Sequence, residues 1–256
     1  MIHPTATIHR TAVLEGDISI AAGTVIGPLV VLQGNISIGE NNRLGPGGYF
    51  SNTVRIGDNN HFLGQCAVGG QGEMGTKGDI LREDGVITIG SDNLFREFVT
   101  INSPVRRSCT TVGDHGYYMA RSHIAHDCQV ANNVTMAHSL LAGGVIVGAY
   151  AYIGLGSMTH QWLDIGESAM IGMLAANTRL IPPFAVVTGV PARILKFNRV
   201  GAERRGLDPA AIAEVDRNYR AILEDGGKTA SDNPIVRTIA TFLSSHEGYL
   251  KTFAGA

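Results

Sequence analysis

The sequence predicts a mainly β protein: a left-handed parallel β-helix of hexapeptide repeats, followed by a small α-helical C-terminal domain. Three observations carry this expectation. A large apolar residue returns every six positions from Ile2 to Ile171, with few interruptions. Glycine is abundant (33 of 256 residues) while aromatics make up only 6%, a balance that favours many tight corners over an aromatic core. Beyond Ile181-Pro182-Pro183 the apolar spacing changes to that of amphipathic helices.

The first run reads Ile2, Ile8, Leu14, Ile20, Ile26, Leu32, Ile38, Leu44, Phe50, Ile56, Phe62 and Val68. A helix repeats every 3.6 residues and a strand every 2, so neither alone produces it. A hexad repeat is the signature of a β-helix in which each short strand sends one large side chain inward. Three hexads close one triangular coil, so residues three hexads apart stack. The rhythm breaks over 69–86, resumes at Ile89, Phe95 and Ile101, breaks over 102–111, and resumes at Val112, Tyr118, Ile124 and Val130. The two breaks are expected to be loops ejected from the prism, where function tends to sit on a rigid scaffold. Between Val130 and Leu141 the count is one residue short, after which Val147, Ile153, Thr159, Ile165 and Ile171 continue the register.

The β-helix is expected to occupy residues 1–190 and the helical domain 191–256. Asp208-Pro209 is an N-cap with a first-turn proline, and Ile212, Val215, Tyr219, Ile222 and Leu223 form one helix face. Asn233-Pro234 starts a second helix whose apolar face is Ile235, Val236, Ile239, Phe242 and Leu243. Such helices would cover the open end of the coil stack, as solenoids require.

Composition narrows the function. Twenty basic against 22 acidic side chains give no support to nucleic-acid binding. Cys66, Cys109 and Cys128 are odd in number, scattered and free of CxxC spacing, which argues for a reducing compartment and against disulfides or a structural zinc site. No signal segment opens the chain and no apolar run is long enough to span a bilayer. A soluble cytoplasmic protein is expected.

The chemistry concentrates in Ser122-His123-Ile124-Ala125-His126-Asp127-Cys128. An imidazole beside a carboxylate is the usual form of a general base, because the carboxylate fixes the tautomer and stabilises the imidazolium. With the slip counted, His126 stacks on Gly143 and Gly143 on Gln161, with His160 alongside. The repeat therefore gathers these residues into one groove with space at its centre. A zinc site built on His123 and His126 lacks a third ligand, and a non-catalytic scaffold would leave the His126–Asp127 pair without a purpose.

The hexads, His-Ile-Ala-His-Asp-Cys, His160-Gln161, Ile181-Pro182-Pro183 and a tail containing Arg204-Arg205-Gly206 together resemble the UDP-N-acetylglucosamine 3-O-acyltransferase family. The resemblance covers nearly the whole chain. It implies transfer of an (R)-3-hydroxyacyl group from acyl carrier protein to the 3-hydroxyl of a UDP-sugar, the opening step of lipid A synthesis. It further implies a homotrimer of parallel prisms with sites between subunits, and no cofactor, metal or covalent intermediate. Carried over by residue, it makes His126 the base, Asp127 its orienting partner and the Gly143 backbone N–H the oxyanion donor. His123, His160 and Gln161 line the cleft, Asn198 and Arg204 hold the nucleotide, and Met173 limits acyl length to about ten carbons. Arg193, Lys196, Arg199, Arg204 and Arg205 would form a surface for the acidic carrier protein.

Three departures stand out. Gly144 replaces a usual histidine, and Asn102 stands where a histidine is common. The 69–86 segment replaces the family's acceptor loop, leaving Lys77 as the stand-in for its lysine. The altered loop keeps open a paralogous activity on the amino group of a related UDP-amino sugar.

Overall fold

The computed structural model describes residues 1–73, 82–226, 228 and 231–246. The hexad residues do what their period requires: Ile26, Leu44, Phe50, Val68, Phe95, Ile124, Leu141, Ile153 and Ile171 are all buried on the prism axis. Parallel pairing joins each coil to the next, on three faces.

One face carries pairs such as Tyr117–Tyr118, Thr135–Met136, Tyr152–Ile153 and Met170–Ile171. The second carries Ala67–Gly70, Thr100–Asn102, His123–Ile124, Leu140–Leu141, Met158–Thr159 and Ala176–Asn177. The third carries Val86–Ile89, Cys109–Val112, Gln129–Val130, Ile146–Val147 and Asp164–Ile165. In the early coils the second and third faces are continuous strands, Val13–Ile20, Val31–Ile38 and Tyr49–Ile56. These bend where Gly34 (φ 126°) stacks between Gly16 and Asn52, a conformation glycine adopts without steric cost.

The slip is real. Tyr118 pairs with Met136, but Ile124 pairs with Leu141 and Val130 with Val147, so one corner between Met136 and Leu141 is a residue shorter. His138 takes the left-handed conformation there (φ 45°). Along the axis, Phe62 stacks on Phe95 (4.4 Å between centroids) and Phe95 on Tyr118 (4.8 Å). Phe62, Phe95 and Tyr118 thus form one column in the middle of the prism.

The prism closes on an antiparallel pair, Ala185–Thr188 with Arg193–Phe197. Three helices follow: α1 (Arg199–Arg204), α2 (Pro209–Glu224) and α3 (Pro234–Ser244). The side chains of Asn198, Asp208 and Asn233 cap them. Helix α2 buries Ile212, Val215, Tyr219 and Ile222, and α3 buries Ile235, Val236, Ile239 and Leu243. Leu223 and Phe242 pack at the margin, partly buried. The Tyr219 hydroxyl donates to the Pro183 carbonyl (2.7 Å), tying the helices to the end of the prism.

Candidate active site

The edge between the second and third faces carries the predicted base. His126 follows His123–Ile124, and the strand register places Gly143 on the coil above it and Gln161 above that. Two main-chain bonds fix the stack: Gly144 N–H to His126 O (2.8 Å) and Trp162 N–H to Gly143 O (2.9 Å).

His126 Nδ1 lies 2.8 Å from Asp127 Oδ2. Asp127 is fully buried and accepts from the backbone N–H groups of Val105, Arg106 and Arg107. Burial opposes its ionisation, but the bonds from His126 and those three amides outweigh it and hold the carboxyl below its ordinary range. An ionised carboxylate only accepts, so Nδ1 is the donor of this bond, and in the neutral ring the lone pair is then on Nε2. A Cβ built on Gly143 would stand 2.4 Å from that Nε2, so the glycine is what makes room for the ring. The Gly143 N–H makes no hydrogen bond among the described residues. Burial pushes the neighbouring Cys128 thiol up to about 12, which leaves it protonated at neutral pH.

Described residues from both breaks in the hexad rhythm lie beside the base. A Cβ on Gly72 would lie 2.3 Å from Val105 Cγ2 and 2.9 Å from His126 Cβ, so Gly72 packs against the base and against Val105. His126 points out of the prism, yet only 4% of it is exposed. His123 donates or accepts at the Thr100 hydroxyl through Nδ1 (2.7 Å). Burial lowers its pKa, Glu73 acts against that, and His126 adds to it.

Several site residues stand elsewhere in one chain. His160 and Gln161 are exposed on the coil above Gly143. Met173 is 69% exposed, and its corner precedes the second face, opposite the His126 edge. His138 occupies that same far corner, two coils lower, and so does not stand in for the absent cleft histidine within one prism. Asn198 caps α1 and donates to Ser168 O (2.8 Å), while Arg204 lies exposed in the last turn of α1. Helix α1 is thereby tied to the third edge. Of the basic cluster, Arg205 is paired with Glu167 and lies over Tyr150, and Arg199 is paired with Glu203 and Asp216. Lys77 lies outside the described residues.

Two depressions flank the base on its own edge. One, of about 450 Å³, lies below it around Gly34, Tyr49, Asn52, Gly70 and Gln71. The other, of about 800 Å³, lies above Gln161 against Asn177, Arg179, Leu195 and Tyr219.

A family model described as UDP-N-acetylglucosamine O-acyltransferase, domain 2, matches residues 181–248. The acyl-(acyl-carrier-protein)–UDP-N-acetylglucosamine O-acyltransferase of Aliivibrio salmonicida is 39% identical over 256 residues, 99% of this chain and 97% of that protein. The chain belongs to the UDP-N-acetylglucosamine O-acyltransferase family. The Stenotrophomonas maltophilia K279a member is 41% identical over 229 residues, 88% of this chain and 84% of that one. The crystal structure of the Francisella novicida UDP-N-acetylglucosamine acyltransferase superposes with a TM-score of 0.75 at 27% identity, covering 99% of this chain and 89% of that chain. The chain is therefore an acyltransferase with the family's β-helix.

Sequence reasoning missed part of the family member's site. Glu73, whose charge raises the His123 pKa, sits two residues past Gln71, four before Lys77. Arg107 and Trp162 pack directly on the dyad's column. The sole tryptophan, placed at a hexad corner just after His160-Gln161, was the available signal. Among the described residues no three His, Cys, Asp or Glu side chains converge as a metal site, and no helix is long and apolar enough to cross a membrane.

Proposed function

We propose that this chain transfers a 3-hydroxyacyl group from acyl carrier protein to the 3-hydroxyl of UDP-N-acetylglucosamine, with His126 as general base. The observation that carries the reading is the buried His126–Asp127 pair, its ring packed against Gly143, whose N–H is unbonded among the described residues. A sugar hydroxyl is a poor nucleophile until its proton is taken. Nε2 takes it as the oxygen attacks the thioester carbonyl, and the Gly143 N–H donates to the oxyanion that forms. When the intermediate collapses, the C–S bond breaks and the imidazolium returns its proton to the carrier's thiolate. Asp127 stays ionised and holds the ring throughout.

Residues assigned to one substrate stand at different edges: His126 at one, Met173 at another, Asn198 and Arg204 at the third. They can share a ligand only if copies of the prism pack side by side, which supports a homotrimer with the site between subunits. The outward column His123–Leu140–Met158, with Leu140 41% and Met158 54% exposed, gives the second face an apolar surface suited to a neighbour or an acyl chain. Arg193, Lys196 and Arg204 remain as the exposed cations for an acidic carrier protein in the cytoplasm.

The test is transfer from 3-hydroxyacyl carrier protein to a panel of UDP-sugars, including a 3-amino analogue of the acceptor. The 3-hydroxy sugar should be acylated on oxygen, and His126→Ala should lose about 10²- to 10⁴-fold in turnover. Exclusive acylation of the amino sugar favours the paralogous activity. Near wild-type turnover in His126→Ala ends the general-base assignment.

A further inference from the structure

Arg107 leaves the turn after Asn102 and reaches back across the edge that carries the base. Its backbone N–H donates to Asp127 Oδ1 (2.8 Å). Its Nη1 donates both to the Asp127 main-chain carbonyl and to Gly144 O (3.0 Å). Its guanidinium carbon stands 5.1 Å from the centre of the Trp162 ring. Asp127, Gly144 and Trp162 are the left-handed corner residues of three successive coils (φ 64°, 75° and 58°). One side chain therefore spans three coils beside the base while its own backbone holds the base's carboxylate.

We propose that Arg107 is a positioning residue for the His126–Asp127 pair, acting through the 105–107 turn; this rests on His126 being the base. The turn supplies three of the hydrogen bonds that hold Asp127, and the Arg107 side chain fastens the turn to two prism carbonyls. Without that fastening the amides lift from the carboxylate, Asp127 loses its fixed orientation, and His126 loses the partner that aims Nε2 at Gly143. Arg106 also stands over the indole, at 5.5 Å, and Arg82 Nη1 donates to Arg106 O (3.2 Å), but among the described residues only Arg107 bonds the carbonyls of Asp127 and Gly144. Gly144 has no side chain, and a Cβ there would stand 2.2 Å from Trp162 Cε3, so the indole fills the space and presents its face to the guanidinium.

A mere staple would lower the melting temperature and leave turnover per folded site alone. A positioning residue lowers kcat instead. The experiment compares Arg107→Ala and Arg107→Lys with His126→Ala in the full chain. Arg107→Ala should lose about 10- to 100-fold in kcat, the scale of a small misplacement of a reacting group. KM for both substrates should hold, because Arg107 contacts no reacting atom. Trp162 is the only tryptophan, so its emission reports the stack directly and should shift to the red. Arg107→Lys can still donate to both carbonyls but does not stack as a planar group; kcat should recover most of the way while the emission stays shifted. Should Arg107→Ala not fold, Arg107→Gln carries the same test with the same expected fall.

Wild-type kcat per folded site in the Ala or Gln variant overturns the proposal. So does a raised KM with unchanged kcat, which would make Arg107 a substrate contact. An active His126→Ala removes the base itself. An inactive His126→Ala beside a fully active Arg107→Ala removes only the role of Arg107.

Discussion

Replacing Gly143 with alanine adds one methyl group at the point where the mechanism has least room. The new Cβ would lie 2.3 Å from His126 Cε1 and 2.4 Å from Nε2, whereas contacts shorter than 3.4 Å are already unusual for a Cβ. The ring edge must therefore retreat by about 1 Å, and displacement on that scale costs about 100-fold in rate. Retreat is opposed by Gly72, packed against His126 Cβ and Cγ, and Asp127 grips Nδ1 at 2.8 Å. The backbone of Gly143 lies outside the left-handed region, so alanine leaves the N–H in place and isolates the ring displacement from loss of the oxyanion donor. Expected is a fall in kcat of about 100-fold, equivalent to about 2.7 kcal/mol of barrier. Overpacking should cost about 1–3 kcal/mol of stability. Steady-state transfer from 3-hydroxyacyl carrier protein reads the first, thermal melting the second. A variant that stays folded and keeps kcat within about threefold of wild type would mean that Nε2 is not the base or does not work from this position.

Other perturbations follow from the same geometry. Asp127 is held below the ordinary carboxylate range, so its stabilisation is complete above about pH 4, the unfolded value, and is lost as pH falls through the lower folded value. The melting-temperature gap between wild type and Asp127→Asn should be wide at neutral pH and close in acid; a gap constant with pH would sink the reading. Met173→Gly should move the preferred donor from about ten carbons toward longer chains by a few methylenes, at roughly 0.8 kcal/mol each. Identical chain-length profiles for the two proteins would make Met173 a surface residue without a measuring role. His126→Ala should also melt at a lower temperature, since the ring is buried and Asp127 loses a hydrogen-bond partner.

Register was legible because it is enforced by sterics. Each coil has room for one large side chain per face, so Ile124, Leu141 and Thr159 must recur at the spacing they show, and a missing residue between Met136 and Leu141 is detectable by counting. The stacking of His126, Gly143 and Gln161 follows from that alone. Helix ends were legible for a similar reason, since Asp208-Pro209 and Asn233-Pro234 are local signals with local consequences. What covers the corners is not periodic. Gly72 packs on His126 and Val105 bonds Asp127 through contacts that no hexad encodes, and so a base that looked exposed along the repeat is buried in the fold. Residues at different edges of one prism also look like neighbours in a family motif, although a single chain keeps Met173 and Arg204 away from His126.

The departure at residue 144 shows how a site can be misread one position at a time. Taken alone, glycine in place of the usual histidine is the loss of a cleft side chain. The left-handed φ at 144 is free for glycine and costly for most other residues, and the coil above answers with Trp162, a bulky residue in that same strained conformation. That strain needs compensation, and the indole has it: its ring occupies the space over Gly144, and the guanidinium groups of Arg106 and Arg107 lie 5.5 and 5.1 Å from its centre. Arg107 in turn bonds the carbonyl of Gly144 and that of Asp127. Gly144, Trp162 and Arg107 are then packed as one unit drawn from three segments, and a histidine at 144 should collide with the indole unless Trp162 is also made smaller.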